Sequence, residues 1–294
     1  MKIKKVIKML IKQGPFAVLR AIRDHYRKKR EEEKFRNRVR SLHLISDGER
    51  ENQKNRKFLA PVSFSIITPL YNTPENYLRE LLESLQKQTY QKWQLCLADG
   101  SDKEHEYVGE ICREYASKDS RICYEVLEEN KGISENTNEC LKFATGDYIG
   151  LLDHDDILHE SALYEMMKVI EEEKADFLYS DEVKFSGKIE DASDFNFKPG
   201  FGKDELRAHN YILDQIGQAY RPEFDGSQDH DMVLRLTEKA EKIVHIPKVL
   251  YYWRVHPQSV SMNLDSKSYA VDAAIHAVSE QLERTKWSRK EHRI

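Results

Sequence analysis

Residues 146–160 read GDYIGLLDHDDILHE, an apolar run from Tyr148 to Leu152 that closes on Asp153, Asp155 and Asp156. The run has the composition of a buried strand, and acids at its carboxyl end fall where open α/β sheets gather ligands. Asp153 and Asp155 are one residue apart, so in extended or turning backbone both carboxylates can point the same way. Two hard oxygen donors with few other protein ligands suit Mg2+ or Mn2+ shared with a substrate's phosphates. The alternative is a helix start with acids in its first turn, since Asp156 precedes a helix expected over 160–174.

Outward from this stretch, strand and helix signals alternate from Pro61 onward, which predicts an α/β domain with a largely parallel sheet. VSFSIITPLY reads as the first strand, after which Thr73 is expected to cap a helix with Pro74 at its first position. Tyr77, Leu78, Leu81, Leu82 and Leu85 form the apolar stripe of that helix. WQLCLAD is the second strand, a helix follows over 103–117, and RICYEVLE is the third strand. A helix from Ser134 to Ala144 is expected to end at Gly146 as its cap. DYIGLLD is then the fourth strand, followed by helix 160–174, with Leu163, Met166, Met167 and Ile170 on one face, and strand ADFLYSDE. A last helix is expected near 266–284, before the basic tail RTKWSRKEHRI.

The 294-residue chain is 33% charged and 39% hydrophobic, which describes a globular protein with a highly charged surface. Its net charge of −4 hides an asymmetry: residues 1–30 hold eleven Lys and Arg against Asp24 alone, so −14 remains for residues 31–294. An acidic body argues against a nucleic-acid partner, whose binding rests on neutralised phosphates. Cys96, Cys112, Cys123 and Cys140 form no CxxC pair and read as free thiols of a reducing compartment. No apolar run is long enough to span a membrane, and the N-terminus lacks the uncharged core of a signal peptide, so a cytoplasmic location is expected.

In the basic N-terminus, Ile3, Val6, Ile7, Leu10 and Ile11 recur at helical spacing. Gly14 and Pro15 interrupt the pattern, and Phe16, Leu19 and Ile22 begin a second short helix. Such a helix can lie on an anionic membrane surface or stay solvated or packed on a partner. Residues 31–60 read as a linker or a peripheral helix.

By position, Pro69, Tyr71, Asp99, Asp153 and Asp155 all stand at strand ends and converge on one crevice. Four segments occur in order: SIITPLYNTPENYLRELLESLQKQTY, LCLADGSD, NKGISENTNECLKFATGDYIGLLDHDD and FDGSQDHDMVLRL. Together they resemble family 2 of the inverting glycosyltransferases from about Val62 to Ser261. The resemblance implies the GT-A fold, a Rossmann-like mostly parallel sheet flanked by helices, here with an N-terminal helical extension over 1–60. The domain would run over 61–262, with a nucleotide-sugar half at 61–160 and an acceptor half at 161–262, followed by a helix and tail over 263–294.

The same resemblance implies the residue roles. Pro69 and Tyr71 would flank a uracil or thymine ring, and Asp99 would accept a hydrogen bond from its imide. Lys131 would reach phosphate oxygens, and Asn138 matches the family asparagine, although Thr137 stands where an arginine often precedes it. Asp153 would face the donor ribose or the metal, Asp155 would ligate the metal, and His154 would be a spacer. Asp229 matches the acid that serves as general base, with Gln228 and Asp231 in support. In LYYWRVHPQSVS, Arg254 would contact phosphate and His256 phosphate or metal. The implied reaction moves a hexosyl or rhamnosyl group from a UDP- or dTDP-sugar to a glycan or lipid-linked hydroxyl in surface polysaccharide synthesis.

One segment departs from the pattern. HNYILDQIGQAYRPEFDGSQD runs straight across a region where the family places a further strand, so the helix expected at LDQIG lacks the strand before it. A missing strand leaves backbone groups unpaired and apolar surface uncovered, and Asp229 would be less firmly held. This motivates the alternative of a non-catalytic member that binds nucleotide sugar and partners other transferases. A nucleotidyltransferase would need a glycine-rich loop after the first strand, and TPLYNTP contains no glycine.

Overall fold

The computed structural model describes residues 15–202, 206, 220–256 and 268–286. Helices α1 (Pro15–Arg40) and α2 (Asp47–Asn55) precede strand β1 (Phe64–Leu70). Then follow α3 (Glu75–Gln86), β2 (Trp93–Asp99), α4 (Tyr107–Lys118), β3 (Ile122–Val126), α5 (Ile133–Leu141) and β4 (Tyr148–Leu151). The remaining elements are β5 (Ile157–Leu158), α6 (Ala162–Glu173), β6 (Phe177–Phe185), β7 (Asp194–Asn196), α7 (Gln228–Thr237), β8 (Ile243–Arg254) and α8 (Ser268–Arg284).

The first sheet has the order β3-β2-β1-β4, and all its pairings are parallel. Nearly the whole of β1 is buried, as its apolar run requires of a central strand covered on both faces. Leu78, Leu81, Leu82 and Leu85 of α3 are buried at helical spacing against this sheet, joined in one core by Leu95, Leu97 and Ile111. Leu163, Met167 and Ile170 of α6 enter the same core, so both halves of the chain share it. The second sheet has the order β5-β8-β6-β7, with β6 and β8 parallel and the two outer pairings antiparallel. Among the described residues no ladder joins the two sheets. A cavity of about 30 Å³ lies between them, lined by Ile66, Gly150, Leu158, Leu178, Leu250 and Tyr251 among others.

Several expectations are corrected. Thr73 does not cap α3, whose cap position is Pro74 without a side-chain bond. Its hydroxyl instead meets His154 Nδ1 at 2.6 Å. Tyr77 is half-buried, its ring under Arg254 rather than in the leucine stripe. Gly146 is not a helix cap, because α5 ends at Leu141 with Lys142 as its cap. The Gly146 amide donates to Ser65 Oγ at 2.8 Å, and a Cβ there would lie 2.5 Å from Ser65 N. Glycine is therefore required where the chain passes close to β1. Asp156 does not start the following helix, since β5 intervenes and α6 begins at Ala162.

The N-terminal region is more helical than its sequence suggests: α1 is one helix of 26 residues in place of a short one. Within 31–60, α2 is capped by Ser46, which accepts from Glu49 N, and is docked by a bond from Thr89 Oγ1 to Gln53 Oε1 at 2.8 Å. The expectations for residues 1–14, the segment at LDQIG and most of the basic tail fall outside the described residues. All four cysteines are free thiols. Among the described residues no helix is long and apolar enough to cross a membrane.

Because the atoms that a Gly146 Cβ would meet are backbone atoms of β1, Gly146→Ala should cost about 1–3 kcal/mol, the usual range for overpacking. A urea titration would show it as a lowered midpoint at unchanged slope.

Candidate active site

The carboxyl ends of β1, β2 and β4 form one rim. Tyr71 stands just past β1 with 46% of its surface exposed. Asn72 follows in the left-handed region at φ 50°, a conformation asparagine tolerates. Its backbone N–H donates to Ser101 Oγ at 2.8 Å and its amide to Asp102 at 2.8 Å, tying the first strand's exit to the second's. Asp99 ends β2 opposite Leu70. Its carboxylate accepts from Ser101 N at 2.9 Å and from the Tyr124 hydroxyl at 2.7 Å. That leaves Pro69, Tyr71 and Asp99 at the adjacent carboxyl ends of β1 and β2.

Lys131 is exposed, 3.4 Å from Glu129, in the turn before α5. That turn is shaped by Gly132 at φ 96° and by buried Asn136, whose amide accepts from Lys131 N and donates to Asn130. Asn138 points to the other half of the chain: its Nδ2 donates to the Tyr220 carbonyl at 2.9 Å and its Oδ1 accepts from Tyr220 N at 2.7 Å. The Thr137 hydroxyl bonds back to the Ile133 carbonyl within the helix.

Ligand atoms of Asp153, Asp155 and Asp156 all lie within 4.8 Å of one another. The three differ in environment. Asp156 is 2% exposed and accepts from the Tyr251 hydroxyl at 2.6 Å and from Arg254 N at 2.7 Å. Asp155 is partly buried, and His256 Nε2 sits 2.9 Å from its Oδ2. Asp153 opens to the crevice. Desolvation of its carboxyl at the crevice wall, and then the charges of Asp229 and Asp155, push it up to about 7. Burial also raises Asp156 well above the usual carboxylate range, with Asp153 and Asp155 adding to the effect. Acids held this close resist ionising together, which a divalent cation would relieve, so Asp153 and Asp155 with His256 fit Mg2+ or Mn2+. His154 faces Thr73, and burial holds its ring below the ordinary histidine value.

Arg254 is 5% exposed, its guanidinium lying 4.2 Å from the Tyr77 ring centre and 4.5 Å from that of Phe185. Its Nε donates to the Asp155 carbonyl at 2.6 Å and its Nη2 to Glu80. The arginine therefore braces the acid-bearing loop from behind.

Asp229 stands in the first turn of α7. Its Oδ1 accepts from the Tyr220 hydroxyl at 3.0 Å, and Gln228 Nε2 lies 3.3 Å from its Oδ2. Burial raises its pKa, and the Tyr220 bond opposes that rise. Asp231 is fully buried and gripped by Arg221 and Arg235. Burial works against its charge, but the two arginines outweigh it and hold the carboxyl below its ordinary value. Asp231 thus supports the turn structurally. Tyr220, Tyr251 and Glu80 carried no sequence signal, because each acts through a contact distant in the chain.

A parallel sheet whose first two strands end at Tyr71 and Asp99, a paired-acid loop past β4 and an acid opening a later helix match the GT-A class of α/β proteins. The chain belongs to glycosyl transferase family 2, whose sequence model matches residues 65–213. It is 38% identical over 236 residues to protein y4gI of Sinorhizobium fredii, covering 75% of this chain and 25% of that one. It is 31% identical to the O-antigen biosynthesis protein RfbC of Myxococcus xanthus, covering 75% of this chain and 18% of that protein. The chain thus spans a quarter or less of these relatives. The crystal structure of Staphylococcus aureus TarS 1–349 in complex with UDP-GlcNAc shares the fold with a TM-score of 0.57 at 20% identity, covering 78% of this chain and 74% of that one.

Asp153 titrates near 7 when folded, against an ordinary 3.8, so the folded state binds its proton more tightly than the unfolded state. Its ionisation therefore costs stability, and without metal this contribution is lost as the pH rises from about 4 to about 7. Asp153→Asn should remove that dependence. In EDTA, the melting temperature of the variant should exceed that of the unaltered chain most at about pH 8, with the gap shrinking toward pH 5.

Proposed function

We propose that the chain is a metal-dependent inverting glycosyltransferase that moves a sugar from a UDP- or dTDP-sugar to a hydroxyl of a glycan or lipid-linked acceptor. The observation that carries this reading is the trio Asp153, Asp155 and Asp156 just past β4, with ligand atoms within 4.8 Å of one another, in a chain whose residues 65–213 match glycosyl transferase family 2. The name of the Myxococcus relative and the UDP-GlcNAc bound to TarS support polysaccharide assembly and a uridine donor.

On this reading Pro69 and Tyr71 flank the base ring, Asp99 accepts from its imide, and Lys131 reaches the diphosphate. Asp153 would face the ribose or the metal, while Asp155 and His256 would hold the metal. Arg254 serves the donor side through the acid-bearing loop it braces. A bound Mg2+ or Mn2+ would neutralise charge on the departing diphosphate. Asp229 accepts the acceptor hydroxyl's proton as that oxygen attacks the anomeric carbon from the face opposite the diphosphate. The bond from the anomeric carbon to the phosphate oxygen breaks, and its electron pair leaves with the diphosphate.

The reading also places the chain in the cytoplasm, at the inner face of the membrane through residues 1–30. Within the described part of that region, α1 exposes Phe16 and Tyr26 among basic residues, which supports a peripheral contact.

Asp155→Ala should abolish Mn2+-dependent release of UDP from UDP-GlcNAc, UDP-glucose and UDP-galactose. Asp229→Asn should lower turnover by about 10²–10⁴-fold, the usual share of a general base. It should leave the rise in melting temperature with Mn2+ and UDP in place, because that rise reports binding to the folded state alone. Release of UDP by Asp155→Ala at the original rate refutes the metal assignment.

A further inference from the structure

We propose that Tyr220 is a positioning residue for Asp229, and that Asn138 acts on the base through Tyr220 rather than on the donor. This rests on the assignment of Asp229 as the base. A carboxylate base must present one chosen oxygen at one chosen angle. Here Oδ1 is taken by the Tyr220 hydroxyl at 3.0 Å, which leaves Oδ2, with its longer 3.3 Å contact to Gln228, to receive the proton. The phenol can hold that angle because its ring is fixed. Tyr220 is 5% exposed and packs with Phe177, Tyr179, Phe224 and Met232.

The Tyr220 backbone is fixed as well. Asn138 grips both the N–H and the carbonyl of the same residue, a two-point clamp that sets position and rotation together. One residue on, Arg221 is held by Asp231 and by Glu280 at 2.9 Å, with its guanidinium 4.1 Å from the Phe224 ring centre. A second tie runs from the Ser134 hydroxyl to Asp225, four residues before the base. Ser134 and Asn138 are four apart on α5, so they share one face of the helix that follows the Lys131 turn. The base is therefore located from the donor half of the molecule, by side chains that bypass residues 207–219. This is the kind of support that the shortened segment would otherwise withdraw.

The test compares Tyr220→Phe, Asn138→Ala and Asp229→Asn with the unaltered chain. Turnover is read as UDP release from whichever of UDP-GlcNAc, UDP-glucose and UDP-galactose the unaltered chain consumes fastest with Mn2+. Binding is read from thermal stabilisation by Mn2+ and UDP, which needs no turnover. Tyr220→Phe keeps the ring and removes only the hydroxyl. It should lower kcat by about 10–100-fold, as loss of orientation does, at unchanged KM. Asn138→Ala should lower kcat in the same sense and leave the Mn2+–UDP stabilisation unchanged.

A kcat for Tyr220→Phe equal to that of the unaltered chain, with Asp229→Asn inactive, overturns the positioning role and leaves the base assignment standing. Loss of Mn2+–UDP stabilisation in Asn138→Ala at unchanged kcat makes Asn138 a donor contact and overturns its part. Joint loss of kcat and Mn2+–UDP stabilisation in Tyr220→Phe marks a general structural role and also overturns the proposal. Full turnover by Asp229→Asn removes the base assignment itself, whatever Tyr220→Phe does.

Discussion

The arrangement of the crevice depends on one buried carboxyl group, that of Asp156. Tyr251 and Arg254 N bind its two oxygens, and both belong to β8, a strand of the other sheet. The Tyr251 hydroxyl also accepts from Asp153 N at 3.3 Å, so the same phenol touches the loop at two points. Arg254 closes the circuit through the Asp155 carbonyl. With the loop held at 153, 155 and 156, the carboxyl groups of Asp153 and Asp155 have little freedom to move apart in response to their mutual repulsion. On the proposed reading, packing of that sort would keep a cation site ready before the cation arrives.

This anchoring matters more because the sheet is divided. β4 pairs with β1 on one side, and no described strand pairs with its other edge. The narrow cavity between β4 and β6 shows that side chains alone do not fill the junction. Continuity between the halves is carried instead by the shared leucine and methionine core and by polar ties at the sheet's carboxyl edge. Buried tyrosines suit those ties: each brings an apolar ring into the core and a hydroxyl that must find a partner. Tyr251 and Tyr220 both follow this plan, one reaching Asp156 and the other Asp229.

Much of the donor half was legible because it depends on local periodicity. The leucines of α3 and the runs that became β1, β2 and β4 stand within a few residues of their expected places, since one face or both must be apolar for these elements to pack. The convergence of Pro69, Tyr71, Asp99 and Asp153 followed from strand order in a parallel sheet. What escaped reading were choices made by distant contacts. Thr73 looks like a helix cap until His154 is placed beside it, and Gly146 looks like a helix end until β1 passes within van der Waals range. Asp156 looks like a helix-start acid because nothing near it in the chain announces Tyr251. The 26-residue α1 was hidden for another reason: its sequence is so polar that no apolar stripe marks its length.

The proposed in-line displacement would add a further demand, because the attacking oxygen, the anomeric carbon and the leaving oxygen must lie on one axis. If one half of a protein held the donor and the other held the base independently, their positional errors would add. Helix α5 lowers that error by touching both. The turn that leads into it carries Lys131 and Gly132, while Ser134 in its first turn and Asn138 one turn later hold the segment that precedes Asp229. Helices are stiff over such a distance, so a displacement of the donor turn carries the base-bearing segment with it. On the proposed mechanism the axis of attack would then be preserved by a common reference rather than by the rigidity of each half, and a gap between the sheets would be tolerable.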